Sequence, residues 1–186
     1  NSLLPKYRGG SPLSWSIIRG ESLVGSSVFA LSERMDAGKL LHQVVVRNQT
    51  DDDIASLLRK IEVRLKSELP SKWIELIEST AQLMEQDETE ATYSGQRIES
   101  DGLIDWSRDA EDIHNFVRAQ TLPYPCAFTY LGNERLKIVK THVDPRVYFG
   151  TPGQVLRRYA ERGSVLVSAG NDSALEVISV LHGAEL

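Results

Sequence analysis

The chain has 186 residues, of which 41% are hydrophobic and 25% are charged, and its formal net charge is −5 at pH 7. This composition is typical of a globular protein that buries a core without disulfide bonds. The negative charge argues against bulk binding to nucleic acid or anionic membrane, because both require a basic surface. The single cysteine excludes an internal disulfide and a cysteine-based zinc site, and we expect a cytoplasmic protein. No apolar run approaches the roughly 20 residues of a membrane-spanning helix.

Helix and strand patterns alternate over the first 84 residues. Spacing of apolar side chains and runs of β-branched residues predict a helix over residues 12–18, strands over 26–31 and 40–46, a helix over 54–65 and another that restarts at Pro70. We expect Thr50 to cap the first long helix. In the second helix, the apolar residues are expected to face inward: Trp73, Ile74, Leu76, Ile77 and Leu83. This part of the chain is predicted to be an α/β domain.

A polar segment over residues 85–100 is predicted to link this first domain, residues 1–84, to a second one over residues 101–186. The second domain begins with an amphipathic helix over residues 109–121. Short strands follow, and Gly132-Asn133 predicts a hairpin between the first two of them. The strand pattern indicates a small β-barrel.

No cluster of residues indicates a catalytic mechanism by itself. Asp36 lies in a Met-Asp-Ala-Gly turn, where an Asp usually bonds its own backbone. The four histidines are scattered without metal-ligand spacing, so no metal site is predicted. Cys126 follows a Pro-Tyr-Pro corner with no nearby base, which favours a packed side chain over a nucleophile. Lys6 and Arg8 lie in a basic loop that either faces solvent or meets an anion.

Short segments spread along the chain form a distinctive combination. They are Ser2-Leu3-Leu4-Pro5-Lys6-Tyr7-Arg8-Gly9, Ser11-Pro12, Gly20-Glu21, Asp36-Ala37-Gly38, Asp101-Gly102-Leu103-Ile104-Asp105-Trp106, Ile113-His114-Asn115-Phe116-Val117-Arg118-Ala119 and Pro123-Tyr124-Pro125-Cys126-Ala127-Phe128-Thr129-Tyr130. The combination resembles the folate-dependent formyltransferase family. That family includes methionyl-tRNA formyltransferase, the amino-sugar N-formyltransferases and the hydrolase domain of formyltetrahydrofolate dehydrogenase.

The resemblance implies a fold and a reaction. Residues 1–84 would be the C-terminal portion of a Rossmann-like catalytic domain, and residues 101–186 would carry an OB-like domain. The implied reaction transfers a formyl group from 10-formyltetrahydrofolate to a primary amine without a metal. Asp36 matches the family's catalytic Asp, while the catalytic Asn and His would lie upstream of Asn1, so this chain alone is expected to be inactive. The implied folate contacts are Ser2, Leu3, Leu4, Pro5, Ser32, Glu33, Arg34, Met35 and Asp36.

The chemistry explains why the family needs three such groups. Formyl transfer to an amine passes through a tetrahedral intermediate that carries an oxyanion. An Asn amide stabilises that oxygen, and a His moves protons between the attacking nitrogen and the folate nitrogen. A neighbouring Asp raises the pKa of the His and fixes its orientation, which is the role that the resemblance implies for Asp36.

The acceptor amine stays open between two main candidates, with a hydrolase or another small amine as a further alternative. Trp15 and the helix that carries Ile113 favour the sugar-modifying branch, whose acceptor is a nucleotide-linked amino sugar. Methionyl-tRNA is the alternative, for which Arg157, Arg158 and Arg162 offer a local basic strip. A hypothesis of another class is a non-catalytic binding or scaffold module. A homodimer is an open alternative for the assembly.

Two positions depart from the family's pattern. Gly10 stands where relatives that act on sugars often place an Arg near the folate, and a glycine cannot replace a guanidinium. Cys126 stands where Gly is common, a change expected to affect only packing.

Overall fold

The computed structural model describes residues 1–182. Its helices and strands, in chain order, are β1 (Arg8–Gly9), α1 (Pro12–Ile18), β2 (Leu23–Phe29), β3 (Leu40–Arg47), α2 (Ile54–Ile77), β4 (Tyr93–Ser94), α3 (Ala110–Arg118), β5 (Ala127–Leu131), β6 (Glu134–Asp144), β7 (Val155–Tyr159), β8 (Ser164–Ser168) and β9 (Ala174–His182). The chain divides into two compact units. Unit 1 comprises Asn1–Ile17 and Glu21–Arg97, and unit 2 comprises Ile18–Gly20 and the chain from Ile98 onward. None of the helices within residues 1–182 is both long and apolar enough to cross a membrane.

Unit 1 is built around the antiparallel pair of β2 and β3, in which Val24 lies opposite Val46. Helix α2 packs against β3. The buried side chains of Ile54, Leu57 and Ile61 fall on one face of the helix, because residues three or four apart share a face. β1 and β4 form a second, parallel pair. This second pair brings the polar segment after α2 back to the start of the chain.

Helix α2 differs from the two helices predicted from the sequence. Asp53, not Thr50, is its N-cap: the Asp53 carboxylate accepts from the backbone N–H of Ser56, whose hydroxyl accepts from the backbone N–H of Asp53. The helix continues through Pro70, which is exposed, so water can reach the carbonyl that lacks a partner there. The predicted inward orientation of the apolar residues after Pro70 is wrong, since all five are exposed, Ile77 to 81%: Trp73, Ile74, Leu76, Ile77 and Leu83. Only the first half of the helix has buried residues.

In unit 2, helix α3 packs against a sheet. The sheet is antiparallel, with strand order β5-β6-β9-β8-β7. Ile113 and Val117 of α3 belong to a buried apolar cluster with Ile138 and Leu175 of the strands. The predicted hairpin is confirmed, because β5 and β6 pair across the turn at Gly132, whose φ is 61°.

The α/β class is confirmed, but the closed OB-like barrel is not present among residues 1–182. A barrel closes only when its first and last strands are hydrogen-bonded to each other. Here β5 and β7 are the two edges of an open sheet, with β7 paired to β8 alone. In unit 1 the described strands form one antiparallel and one short parallel pair. A Rossmann-like arrangement of that unit stays a prediction.

Candidate functional site

Asp36 lies in the turn between β2 and β3. Its φ is 55°, in the left-handed region that residues other than glycine seldom adopt. Its Oδ2 accepts a hydrogen bond of 2.8 Å from the backbone N–H of Gly9. Tyr7 and Ser11, which flank Gly9, also have positive φ values of 58° and 48°. Strained backbone of this kind concentrates at functional sites, so the turn and the Gly9 segment together form the candidate site.

Gln86 holds the backbone of the Asp36 turn at two points. Its Nε2 donates to the carbonyl oxygens of Asp36 at 2.9 Å and of Gly38 at 2.7 Å. Its Oε1 accepts from Nη2 of Arg8 at 2.7 Å. One amide from the segment after α2 therefore joins the Asp36 turn to the beginning of the chain.

Arg8 is buried and ion-paired. Its side chain is 1% exposed, and it donates from Nη1 and Nη2 to the two carboxylate oxygens of Glu88 at 3.0 and 2.8 Å. Arg34 binds the same carboxylate at 2.5 Å. The hydrogen bonds from Arg8, supported by Arg34, lower the pKa of Glu88 to about 2, and those to Glu88 raise the pKa of Arg8. Of the two roles open for this basic residue, the structure shows the second: the anion that Arg8 meets is the internal carboxylate of Glu88.

The segment over residues 2–5 is fastened to β2 and β3. The Ser27 hydroxyl donates to the Ser2 carbonyl at 2.7 Å and accepts from the Leu4 N–H at 3.0 Å. Gln43 donates to the Leu4 carbonyl at 2.9 Å. Ser2 and Leu4 are buried, while Leu3 and Pro5 are partly exposed. The segment is a fixed part of unit 1 rather than a free loop.

The loop that leads into Asp36 is exposed, unlike the segment over residues 2–5. Ser32, Glu33, Arg34 and Met35 are all exposed, and Met35 is 76% exposed. The Ser32 hydroxyl donates to the Arg34 carbonyl at 2.8 Å. Of the predicted folate contacts, these four residues are the exposed ones.

Trp15 and Gly10 have local structural explanations. The indole N–H of Trp15 donates to the Gly95 carbonyl at 2.8 Å, and the Arg97 guanidinium lies 5.0 Å from the ring centroid. A side chain at position 10 would overlap the backbone of Gln96. The glycine found there is thus required by the return of the polar segment along β1.

Cys126 and the histidines add no second site. Cys126 has a φ of 69°, which explains a preference for glycine at this position, and burial raises the pKa of its thiol. His42 and Glu68 are joined by a hydrogen bond of 2.8 Å, and His114 and Thr141 by one of 2.9 Å. Within residues 1–182, no three His, Cys, Asp or Glu side chains are grouped so as to hold a metal ion.

Comparison with known proteins identifies the family. A family model described as "Formyl transferase" matches residues 1–72, and one described as "Formyl transferase, C-terminal domain" matches residues 97–184. The chain belongs to the formyltransferase family.

Three solved structures show the same fold. HypX from Aquifex aeolicus, in complex with tetrahydrofolic acid, has a TM-score of 0.73 and 19% identity, over 97% of this chain and 31% of that one. An N-formyltransferase from Helicobacter canadensis, in complex with folinic acid and dTDP-3-aminofucose, has a TM-score of 0.73 and 18% identity, over 95% and 63%. Methionyl-tRNA formyltransferase from Clostridium thermocellum has a TM-score of 0.64 and 21% identity, over 98% and 66%. The chain thus spans less than two thirds of the length of each of these proteins.

Proposed function

We propose that the protein containing this chain transfers a formyl group from 10-formyltetrahydrofolate to the amino group of a nucleotide-linked amino sugar. Membership of the formyltransferase family supports the transfer. Tetrahydrofolic acid and folinic acid are bound to two proteins of similar fold, which supports a folate donor. The dTDP-3-aminofucose bound to one of them supports the sugar acceptor.

The observation that carries the proposal is the hydrogen bond of 2.8 Å from the backbone N–H of Gly9 to the Asp36 carboxylate, which places that carboxylate beside the segment that follows Asn1. A residue immediately before Asn1 would have its Cα about 3.8 Å from that of Asn1. We assign this place to the His that the family resemblance implies. The Asp36 carboxylate then orients the imidazole and favours its protonated form, so that the His can deliver a proton to the departing folate nitrogen.

The donor site is assigned to the loop over residues 32–36 and the segment over residues 2–5. A folate ring system needs hydrogen-bonding groups at its edge and apolar groups on its faces. The exposed loop offers backbone groups together with the side chain of Met35. Ser2 and Leu4 are buried, so they shape the site through their fixed backbone, while Leu3 and Pro5 are partly exposed beside them.

Methionyl-tRNA is the second candidate acceptor. Arg157 and Arg162 lie 5.6 and 4.2 Å from the ring centroid of Tyr159, which forms a basic and aromatic surface on unit 2. Such surfaces suit nucleic acid. However, Glu176 lies 3.7 Å from Arg162 and reduces the positive charge there. The sugar acceptor is therefore preferred.

The test is to follow release of tetrahydrofolate from 10-formyltetrahydrofolate by the complete protein. Nucleotide-linked amino sugars and methionyl-tRNA are offered separately, each with a no-acceptor control. Release that depends on an amino sugar is the expected result. Release that depends only on methionyl-tRNA would identify methionyl-tRNA, not an amino sugar, as the acceptor. Release without any acceptor would indicate a hydrolase. No release under any condition would favour a non-catalytic binding or scaffold module.

A further inference from the structure

The contacts around Asp36 form a closed ring. Gly9 donates to the Asp36 carboxylate at 2.8 Å, and Gln86 donates to the Asp36 carbonyl at 2.9 Å. Gln86 in turn accepts from Arg8 at 2.7 Å, and Arg8 is covalently joined to Gly9. The carboxylate and the carbonyl of Asp36 are thus tied, from two directions, to the same dipeptide.

The amide of Gln86 makes a hydrogen bond with each of its polar atoms. Nε2 has two N–H groups, and they meet the carbonyl oxygens of Asp36 and Gly38, on either side of Ala37. Oε1 meets Arg8. A glutamate of the same shape could still accept from Arg8, but it would lose both donors and turn an oxygen towards two carbonyl oxygens. The position therefore needs an amide, and needs it in one orientation.

The Arg8 end of the ring is rigid. A bidentate ion pair fixes a guanidinium in orientation as well as position, and Arg8 makes such a pair with Glu88 while 1% of its side chain is exposed. Arg34, from the loop that leads into Asp36, binds Glu88 as well. Both the turn and its approach are therefore anchored to the segment that contains Gln86 and Glu88.

We propose that Gln86 is a positioning residue for Asp36, a role that rests on the proposed function. Asp36 has a φ of 55°, in the left-handed region, and the hydrogen bonds from Gly9 and Gln86 hold the turn in this conformation. A displacement of about 1 Å in a catalytic arrangement can cost on the order of 100-fold in rate. Gln86 holds the backbone of the turn so that the carboxylate faces the Gly9 amide. It contributes to turnover through Asp36 and not through contact with substrate.

The experiment compares Gln86→Glu with Gln82→Glu in the complete protein. Gln82 is an exposed glutamine of the same segment, so its substitution controls for the added charge. We expect Gln86→Glu to lower kcat per mole of folded protein by about 10-fold or more, with KM for the acceptor within about twofold. We also expect hydrogen exchange at the Gly9 amide to become about 10-fold faster, because its acceptor is no longer held. Gln82→Glu should leave all three quantities unchanged.

A second variant, and the Gly9 exchange measurement if the wild-type protein proves inactive, make the outcome decisive. Gln86→Asn, which is one methylene shorter, replaces Gln86→Glu if the latter does not fold, and the same changes are expected. Unchanged kcat or unchanged Gly9 exchange in the folded variant would overturn the inference. If the wild-type protein releases no tetrahydrofolate with any acceptor, the proposed function fails. Gly9 exchange in the variants then still decides whether Gln86 holds Asp36.

Discussion

Arg8 and Glu88, 80 residues apart in sequence, form a bidentate ion pair with N–O distances of 2.8 and 3.0 Å. The pair is asymmetric, because 1% of the Arg8 side chain and 48% of the Glu88 side chain are exposed. The arginine therefore depends on its protein partners, whereas the glutamate can be solvated without it. Because of this asymmetry, substitutions of Arg8 and of Glu88 should affect the free energy of unfolding differently.

Arg8→Ala is expected to lower the free energy of unfolding by about 2 kcal/mol. The substitution removes a buried side chain and its hydrogen bonds to Glu88 and Gln86, while water can solvate the freed Glu88 carboxylate. Urea unfolding at neutral pH measures the change. Arg59→Ala, on the exposed surface of α2, is the matched control and should stay within about 0.5 kcal/mol of wild type. Equal effects of the two substitutions would contradict the assigned role of the pair.

The same pair predicts a pH dependence of stability. Its hydrogen bonds lower the pKa of Glu88 from 4.5 to about 2 in the folded protein. A carboxyl group whose folded pKa is depressed stabilises the fold above its unfolded pKa. This contribution is lost as the pH falls from about 4.5 towards 2. The difference in unfolding free energy between wild type and Glu88→Gln should therefore shrink between about pH 5 and pH 3, and a constant difference would argue against the pair.

Gly38→Ala tests the close packing of the Asp36 turn. A Cβ at position 38 would overlap the carbonyl oxygen of Ala30, so the backbone of the turn must shift. We expect a loss of about 1–3 kcal/mol in thermal or urea unfolding. Gly95→Ala is the control, because a Cβ there meets nothing within 4 Å. It should be neutral or stabilise by up to about 1 kcal/mol, and a similar loss in both variants would refute the packing argument.

Asp53→Ala should destabilise unit 1 by about 1 kcal/mol, because the Asp53 carboxylate caps the backbone N–H of Ser56 at 2.7 Å. Asp51→Ala removes an exposed acid of the same run and serves as the control. Urea unfolding of both variants measures the difference. The assignment of the cap to Asp53 fails if the Asp51 substitution costs as much.

Local patterns predicted most elements of the fold. The strands that became β2 and β3, helix α3 and the hairpin at Gly132 follow from side-chain spacing and turn chemistry within a few residues. The inward orientation predicted for Ile74 and Ile77 failed, since the apolar spacing of a helix does not reveal whether a partner is present to cover it. Closure of the barrel likewise depends on whether the distant strands β5 and β7 meet, which no local pattern encodes.

The candidate site, like the fold, could be predicted only in part from the sequence. Asp36 was singled out only by the combined family motifs, because an Asp in a turn is by itself unremarkable. Gln86 and Glu88 lie 78 and 80 residues from Arg8 in sequence, in a segment predicted to be a linker. Polar side chains there show no periodicity, so their convergence on one buried arginine appears only in the folded chain. The sequence marks Arg8 as a basic residue of the loop before Gly9, but no local pattern identifies Glu88 as its partner.

The most direct test of the account is the rate of formyl transfer by the complete protein with Asp36→Asn. Asp172→Asn is the matched control, since Asp172 is exposed in a turn of unit 2 and has a similar φ of 54°. We expect Asp36→Asn to lower kcat by about 100-fold or more and to move the limb of the pH–rate profile that reports the protonated His to lower pH. Asp172→Asn should match wild type in both respects. Wild-type kcat and an unmoved pH profile in Asp36→Asn would contradict the central claim that Asp36 acts on a His immediately before Asn1.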